Sequence, residues 1–221
     1  MRAPRRPSRR ISLLGAISVG ALALTLVGCS GGGSPDVLAE PTASVSASTE
    51  APAEPRTWPT EFNQQLHDEL VAMLERDQID SMGGQSGEGF QTRTDRLEQI
   101  IDEFGWPTIT LVGKDGEDAA WAIAQHSDLD AAFQQVALER LREAAEAGHA
   151  SLGNLAYLED RVLVANGEAQ VWGTQVRCAE DGPVPATPIR DEGGLDERRV
   201  EAGLAPFADY VAEMVAACAE F

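Results

Sequence analysis

The 221-residue chain sets 17 Lys and Arg against 36 Asp and Glu, a formal net charge of −19, and Lys114 is its only lysine. A polyanion of this kind lacks the clustered cations that displace counterions from phosphate, which argues against nucleic acid as a partner. Its three cysteines have no C-x2-C spacing and no HExxH is present, so the sequence offers no metal site and implies no cofactor.

Residues 1–28 read as a removable export segment. Five arginines precede an apolar run from Ile11 to Val27, which closes on Leu26-Val27-Gly28-Cys29. A basic start, a short apolar stretch and small residues before the cut mark a signal peptide. A cysteine directly after that cut marks a bacterial lipoprotein, with palmitate or another acyl chain on Cys29. The expected location is the extracytoplasmic face of the cell membrane, as a lipid-anchored cell-envelope protein whose only expected membrane contact is that lipid. Loss of residues 1–28 removes five basic residues and no acid, leaving 12 basic against 36 acidic, net −24. Residues 29–57 hold Cys29 and then a flexible linker: Gly31-Gly32-Gly33, five serines and four prolines among scattered apolar side chains cannot form a core. Residues 58–221 are long enough for one domain.

Within that domain the apolar periodicity is mainly helical. Thr60 is placed to cap a helix reaching about Gln78, with Phe62, Leu66, Leu70, Met73 and Leu74 on one face. Gly83 to Gly89 encloses Ser86 without the Gly-Lys-Ser/Thr ending of a phosphate loop or a G-x-S-x-G elbow, and reads as a mobile surface loop. A second helix runs from Thr94 to Phe104 and stops at Gly105-Trp106-Pro107. Thr108 to Val112 reads as a short strand. From Glu117 a nearly all-apolar helix follows, with Glu117 and Asp118 in its first turn and Gln125 and His126 at its end. Asp128 then caps a long helix whose inner side carries Leu129, Phe133, Val136, Leu138 and Leu141. Gly148 ends it and Ser151 begins the next, which continues to about Val164.

The period then changes. Gln170 to Arg177 alternates like a strand, and Pro183 to Ile189 suits a paired edge where prolines are tolerated. Helical pattern resumes around Arg198-Arg199 and from Pro206 to Ala219. The sum is a mainly α fold with one small β-hairpin. Cys178 and Cys218 are the pair left for a disulfide in an oxidising compartment.

Polar residues interrupt the apolar pattern at Gln125, His126, Asp128, Asp160, Arg161, Gln170, Thr174, Gln175, Arg198 and Arg199. Gly105-Trp106-Pro107, Gln125-His126-x-Asp128, Leu158-x-Asp160-Arg161, Gln170-x-x-Gly173-Thr174-Gln175 and Arg198-Arg199-x-x-x-Gly203-Leu204 together resemble an uncharacterised bacterial domain-of-unknown-function family, over roughly residues 60–212. The resemblance implies a common polar set and no activity. Three readings of the set stay open. The residues satisfy one another as a structural network, or they line a binding pocket with Trp172, Tyr157 and Trp121 as its aromatic wall. In the third, His126 is a general base oriented by Asp128 or Asp160, with Arg161 or Arg198 holding an anion. A binding or interaction domain is the function expected, and a His126-dependent enzyme the alternative.

Overall fold

In the computed structural model residues 57–219 are described, and the expected signal peptide, Cys29 and most of the linker lie outside them. Seven α-helices occupy most of this stretch: α1 (Gln64–Ser81), α2 (Phe90–Phe104), α3 (Ile109–Gln125), α4 (Ala131–Glu146), α5 (Leu152–Ala165), α6 (Leu195–Glu201) and α7 (Phe207–Cys218). One antiparallel hairpin, β1 (Val176–Ala179) and β2 (Gly182–Pro185), lies between α5 and α6, with Val176 opposite Pro185. The fold is mainly α with a small hairpin. No described helix is long and apolar enough to cross a membrane.

Helix α3 is the central element, packed against α1, α2, α4 and α5. Its run of Ala119, Ala120, Ala122, Ile123 and Ala124 is buried, and such small side chains let neighbouring helices approach on every side. Leu66, Leu70 and Met73 of α1, Leu97 and Ile100 of α2, Leu141 of α4 and Leu158 of α5 complete the core around it.

Caps explain most of the shifts from the expected boundaries. Asn63, not Thr60, caps α1, its Oδ1 accepting from Leu66 N at 3.1 Å. The expected strand at Thr108–Val112 is instead the first turn of α3: Thr108 Oγ1 caps it through Leu111 N, and Gly113, at φ +74°, breaks the helix before it resumes. Glu117 lies four residues past that break, in the first turn of the resumed helix, and is fully buried. Asn154 Nδ2 donates to its carboxylate at 2.9 Å and Trp106 Nε1 at 3.3 Å. Burial pushes that carboxyl up to about 6. Helix α4 is capped by Asp130, which accepts from Phe133 N at 3.0 Å, rather than by Asp128. The later start leaves Leu129 ahead of the helix and 86% exposed, and Val136 on its outer side, while Phe133, Leu138 and Leu141 point inward.

The expected strand from Gln170 is corrected too. Strand pairing is confined to residues 176–179 and 182–185, and Gln170 meets Ile189 in an isolated parallel bridge. A disulfide joins Cys178 of β1 to Cys218 of α7 with 5.5 Å between their Cα atoms.

Candidate functional site

Residues 170–175 form a turn folded around one carboxylate. Asp160, on α5, has no solvent exposure. It accepts from Val171 N at 2.7 Å, Trp172 N at 3.2 Å, Thr174 N at 2.9 Å and Thr174 Oγ1 at 3.0 Å. Burial pushes the carboxyl above its usual range and these donors oppose that. Gln170 explains the absence of a strand. Its Oε1 accepts from Gln175 N at 2.8 Å and its Nε2 donates to Gln175 O at 3.0 Å, so a side-chain amide makes the bonds a neighbouring strand would make. Gly173 sits at φ +64°, where a Cβ would also come within 2.8 Å of Ile189.

Two arginines of α6 close the other side of the turn through its carbonyls. Arg198 Nη2 donates to Val171 O at 3.1 Å and to Arg190 O at 2.7 Å. Arg199 is buried, donating to Ala205 O and Trp172 O at 2.7 Å each, with its guanidinium 5.1 Å from the Tyr210 ring centroid. Tyr210 donates to Thr174 O at 2.6 Å, and burial, with Tyr157 beside it, pushes its hydroxyl pKa up. Trp172 turns its indole N–H to Glu159 at 2.8 Å. Gln170, Thr174, Asp160, Arg198 and Arg199 are thus spent on shaping the turn and docking it between α5 and α6.

At the rim, Arg161 forks onto Asp128 with Nε–Oδ1 at 2.9 Å and donates to Gln175 Oε1 at 3.2 Å. Gln134 Nε2 reaches the same Asp128 carboxylate at 3.4 Å. Asp128 is therefore the partner of Arg161, not of His126.

His126, the C-cap of α3, pairs with a residue outside the expected set. Its Nδ1 lies 2.6 Å from Asp77 Oδ2 of α1; the Asp77 side chain is 1% exposed and that of His126 32%. Behind Asp77 stands buried Arg93, 3.5 Å from it and 3.0 Å from Asp80. Asp80 in turn accepts from Ser86 N at 2.8 Å, a bond that holds its carboxyl below the usual range. The glycine-rich loop is tied to this cluster rather than standing apart, since Arg93 Nη1 also donates to Glu88 O at 2.9 Å. A signal for Asp77 exists in the sequence: Leu66, Leu70, Met73 and Asp77 follow one helical stripe, which puts a carboxylate at a core position of α1.

Five enclosed side-chain atoms make no hydrogen bond among the described residues: Arg93 Nε and Nη2, which face the carboxylates of Asp77 and Asp80, Thr187 Oγ1, and two atoms on α3. The two on α3 are Gln125 Oε1 and Trp121 Nε1. They lie one turn apart on α3 and so share a face. Trp121 sets its ring edge-on to Tyr157 of α5 at 5.7 Å, and Tyr157 meets Tyr210 in the same way at 6.2 Å. No group of three His, Cys, Asp or Glu able to hold a metal occurs among the described residues.

A sequence family described as a family of unknown function (DUF6624) matches residues 80–219. The chain belongs to the DUF6624 family. No curated protein and no solved structure matches it. The DUF6624 span includes Gln125, His126, the Asp160 turn and both arginines of α6, but it begins after Asp77, so the carboxylate on His126 comes from outside it.

Proposed function

We propose that the chain is an exported lipoprotein, held by an acyl chain on Cys29 to the extracytoplasmic face of the cell membrane, and that its DUF6624 domain binds a small neutral polar ligand between α3 and α5. The observation that carries the binding reading is the pair of enclosed, unpartnered atoms on α3, the Gln125 acceptor and the Trp121 donor. An unmade bond at such an atom costs about 1–3 kcal/mol, a sizeable share of the stability of an ordinary domain. One molecule with a donor and an acceptor, such as a carboxamide, relieves both. The neighbouring Tyr157 supplies an aromatic surface beside Trp121.

The test is thermal unfolding of the chain from Ser30 onward with a panel of primary amides, ureas and dipeptides. A compound should raise the melting temperature of wild type and leave Gln125→Met unmoved, while the unliganded variant melts at or above wild type because the orphan acceptor is gone. A Gln125→Met variant that melts well below wild type, with no compound shifting either protein, refutes the reading. For the anchor, metabolic labelling with palmitate should mark wild type and not Cys29→Ala; label retained by the variant refutes it.

The second reading is acid–base chemistry at His126. It is favoured by the 2.6 Å contact of Nδ1 with buried Asp77, which orients the imidazole of a partly exposed histidine. An activity unchanged in both His126→Ala and Asp77→Asn would sink it.

A further inference from the structure

Between the hairpin and α7 runs a groove of about 530 Å³ whose lining includes none of the residues of the Asp160 turn, the His126–Asp77 pair or the α3–α5 face. Pro185, Ile189, Leu195, Phe207 and Val211 line it, and Glu192 and Asp196 stand at its edge. Its walls are fixed in place. The Cys178–Cys218 disulfide ties α7 to β1, and the floor rests on Gly173, whose missing Cβ makes room for Ile189 and Phe207, at 2.8 and 3.1 Å from where that atom would be.

Helix α7 spends little of its apolar surface inside the protein. Tyr210 is its one buried residue, whereas Phe207 and Val211 are half-buried and Val215 is 53% exposed. Phe207, Val211 and Val215 repeat every four residues along one side of the helix, and the first two line the groove. The two ionisable residues in the lining, Glu192 and Asp196, are both acids, and the local sequence is acidic as well. From residue 191 to 219 there are seven acids, namely Asp191, Glu192, Asp196, Glu197, Glu201, Asp209 and Glu213, and two bases. Those two, Arg198 and Arg199, are occupied by backbone carbonyls, and Arg198 also pairs with Asp191 at 3.3 Å.

We propose that this groove is a docking site for a basic, apolar peptide segment of another protein, whose aliphatic side chains enter between β2 and α7 while Lys or Arg on either side meets the acidic rim. A second copy of the chain is a poorer occupant, because it brings its own net charge of −19 against the same acids. An anionic membrane surface is repelled for the same reason.

The experiment measures fluorescence anisotropy of a labelled Leu/Lys peptide titrated with the chain from Ser30 onward, which keeps every described element. Ser/Lys and Leu/Glu peptides of equal length serve as comparison. The Leu/Lys peptide should bind saturably and at least about tenfold tighter than either, the factor expected of one well-buried aliphatic side chain or one charge match. Val211→Asp should weaken it by about tenfold or more. Glu192→Arg, at an exposed position that does not threaten folding, should weaken it and flatten its salt dependence. Equal binding of the Ser/Lys peptide reduces the effect to attraction by a polyanion and overturns the proposal. So does equal binding of the Leu/Glu peptide, or indifference to Glu192→Arg. Sedimentation showing a dimer that Val211→Asp dissolves assigns the groove to a second copy, and adsorption to phosphatidylcholine vesicles that the peptide cannot displace assigns it to lipid; either result also overturns it.

Discussion

Replacing Asp160 by Asn tests the central claim about the polar set, because it keeps shape and removes charge and one acceptor. The better amide orientation keeps the oxygen on Val171 N and Trp172 N and turns Nδ2 toward Thr174. The Thr174 hydroxyl can rotate to accept from that Nδ2, but the buried Thr174 N, 2.9 Å from the carboxylate in wild type, then faces another donor. One orphaned backbone N–H costs about 1–3 kcal/mol. The two surviving bonds, at 2.7 and 3.2 Å, lose the strengthening of an ionised acceptor, about 1 kcal/mol each. Relief of a buried charge, visible in the raised Asp160 pKa, offsets part of this. The net expectation is a loss of about 3 kcal/mol in urea denaturation at neutral pH. Amide exchange should accelerate at Val171, Trp172 and Thr174 more than in α1 or α2. A loss below about 1 kcal/mol, with exchange at those three amides unchanged, would refute the account of Asp160 as the anchor of the turn.

Four further outcomes follow from the same physics. Glu117 has a folded-state pKa of about 6, above its ordinary 4.5, so the native state holds its proton longer; stability falls as pH rises from about 4.5 to 6, by roughly 2 kcal/mol, and Glu117→Gln removes that slope in denaturation measured across the window. Cys178→Ser with Cys218→Ser opens a link spanning 40 residues and should cost about 4 kcal/mol by the loop-entropy relation, read as a lower urea midpoint that reducing agent does not lower further. Gly173→Ala meets both a positive φ and the Ile189 contact at 2.8 Å, and should destabilise by at least about 1–2 kcal/mol; an unchanged melting temperature would contradict the geometry. Asp77→Ala leaves buried Arg93 short of a counter-charge and should cost about 3 kcal/mol or more, whereas His126→Ala, at a half-exposed site, should cost under about 1 kcal/mol; the two are compared by the same denaturation assay.

The parts of this protein legible in the sequence are those where local signals and tertiary packing agree. The stripes through Leu66, Leu70 and Met73 and through Leu97, Ile100 and Ile101 are buried as their spacing requires, and Gly105 and Ser151 mark the helix ends they appear to mark. The strand expected at Thr108–Val112 failed because β-branched residues also suit the first turn after a threonine cap, and the break at Gly113 hid the helix's continuity. Gln170 to Gln175 alternates as a strand would, yet it wraps a carboxylate, and only the tertiary position of Asp160 decides that. The polar residues were identifiable as a set, while their pairing was not. Asp128 faces Arg161 and His126 faces Asp77, across 33 and 49 residues of sequence, and no local pattern encodes such a choice. The empty valences of Gln125 and Trp121 are likewise a property of what the fold leaves out.

The closest-packed neighbour of α3 is α1, whose residues 64–79 precede the matched family span. A fragment cut at residue 80 would strip Leu66, Leu70 and Met73 from the central helix and lay its alanine face open to water. It would also take Asp77 from His126 and Arg93. The matched span, residues 80–219, thus leaves out most of the helix that packs most extensively on α3.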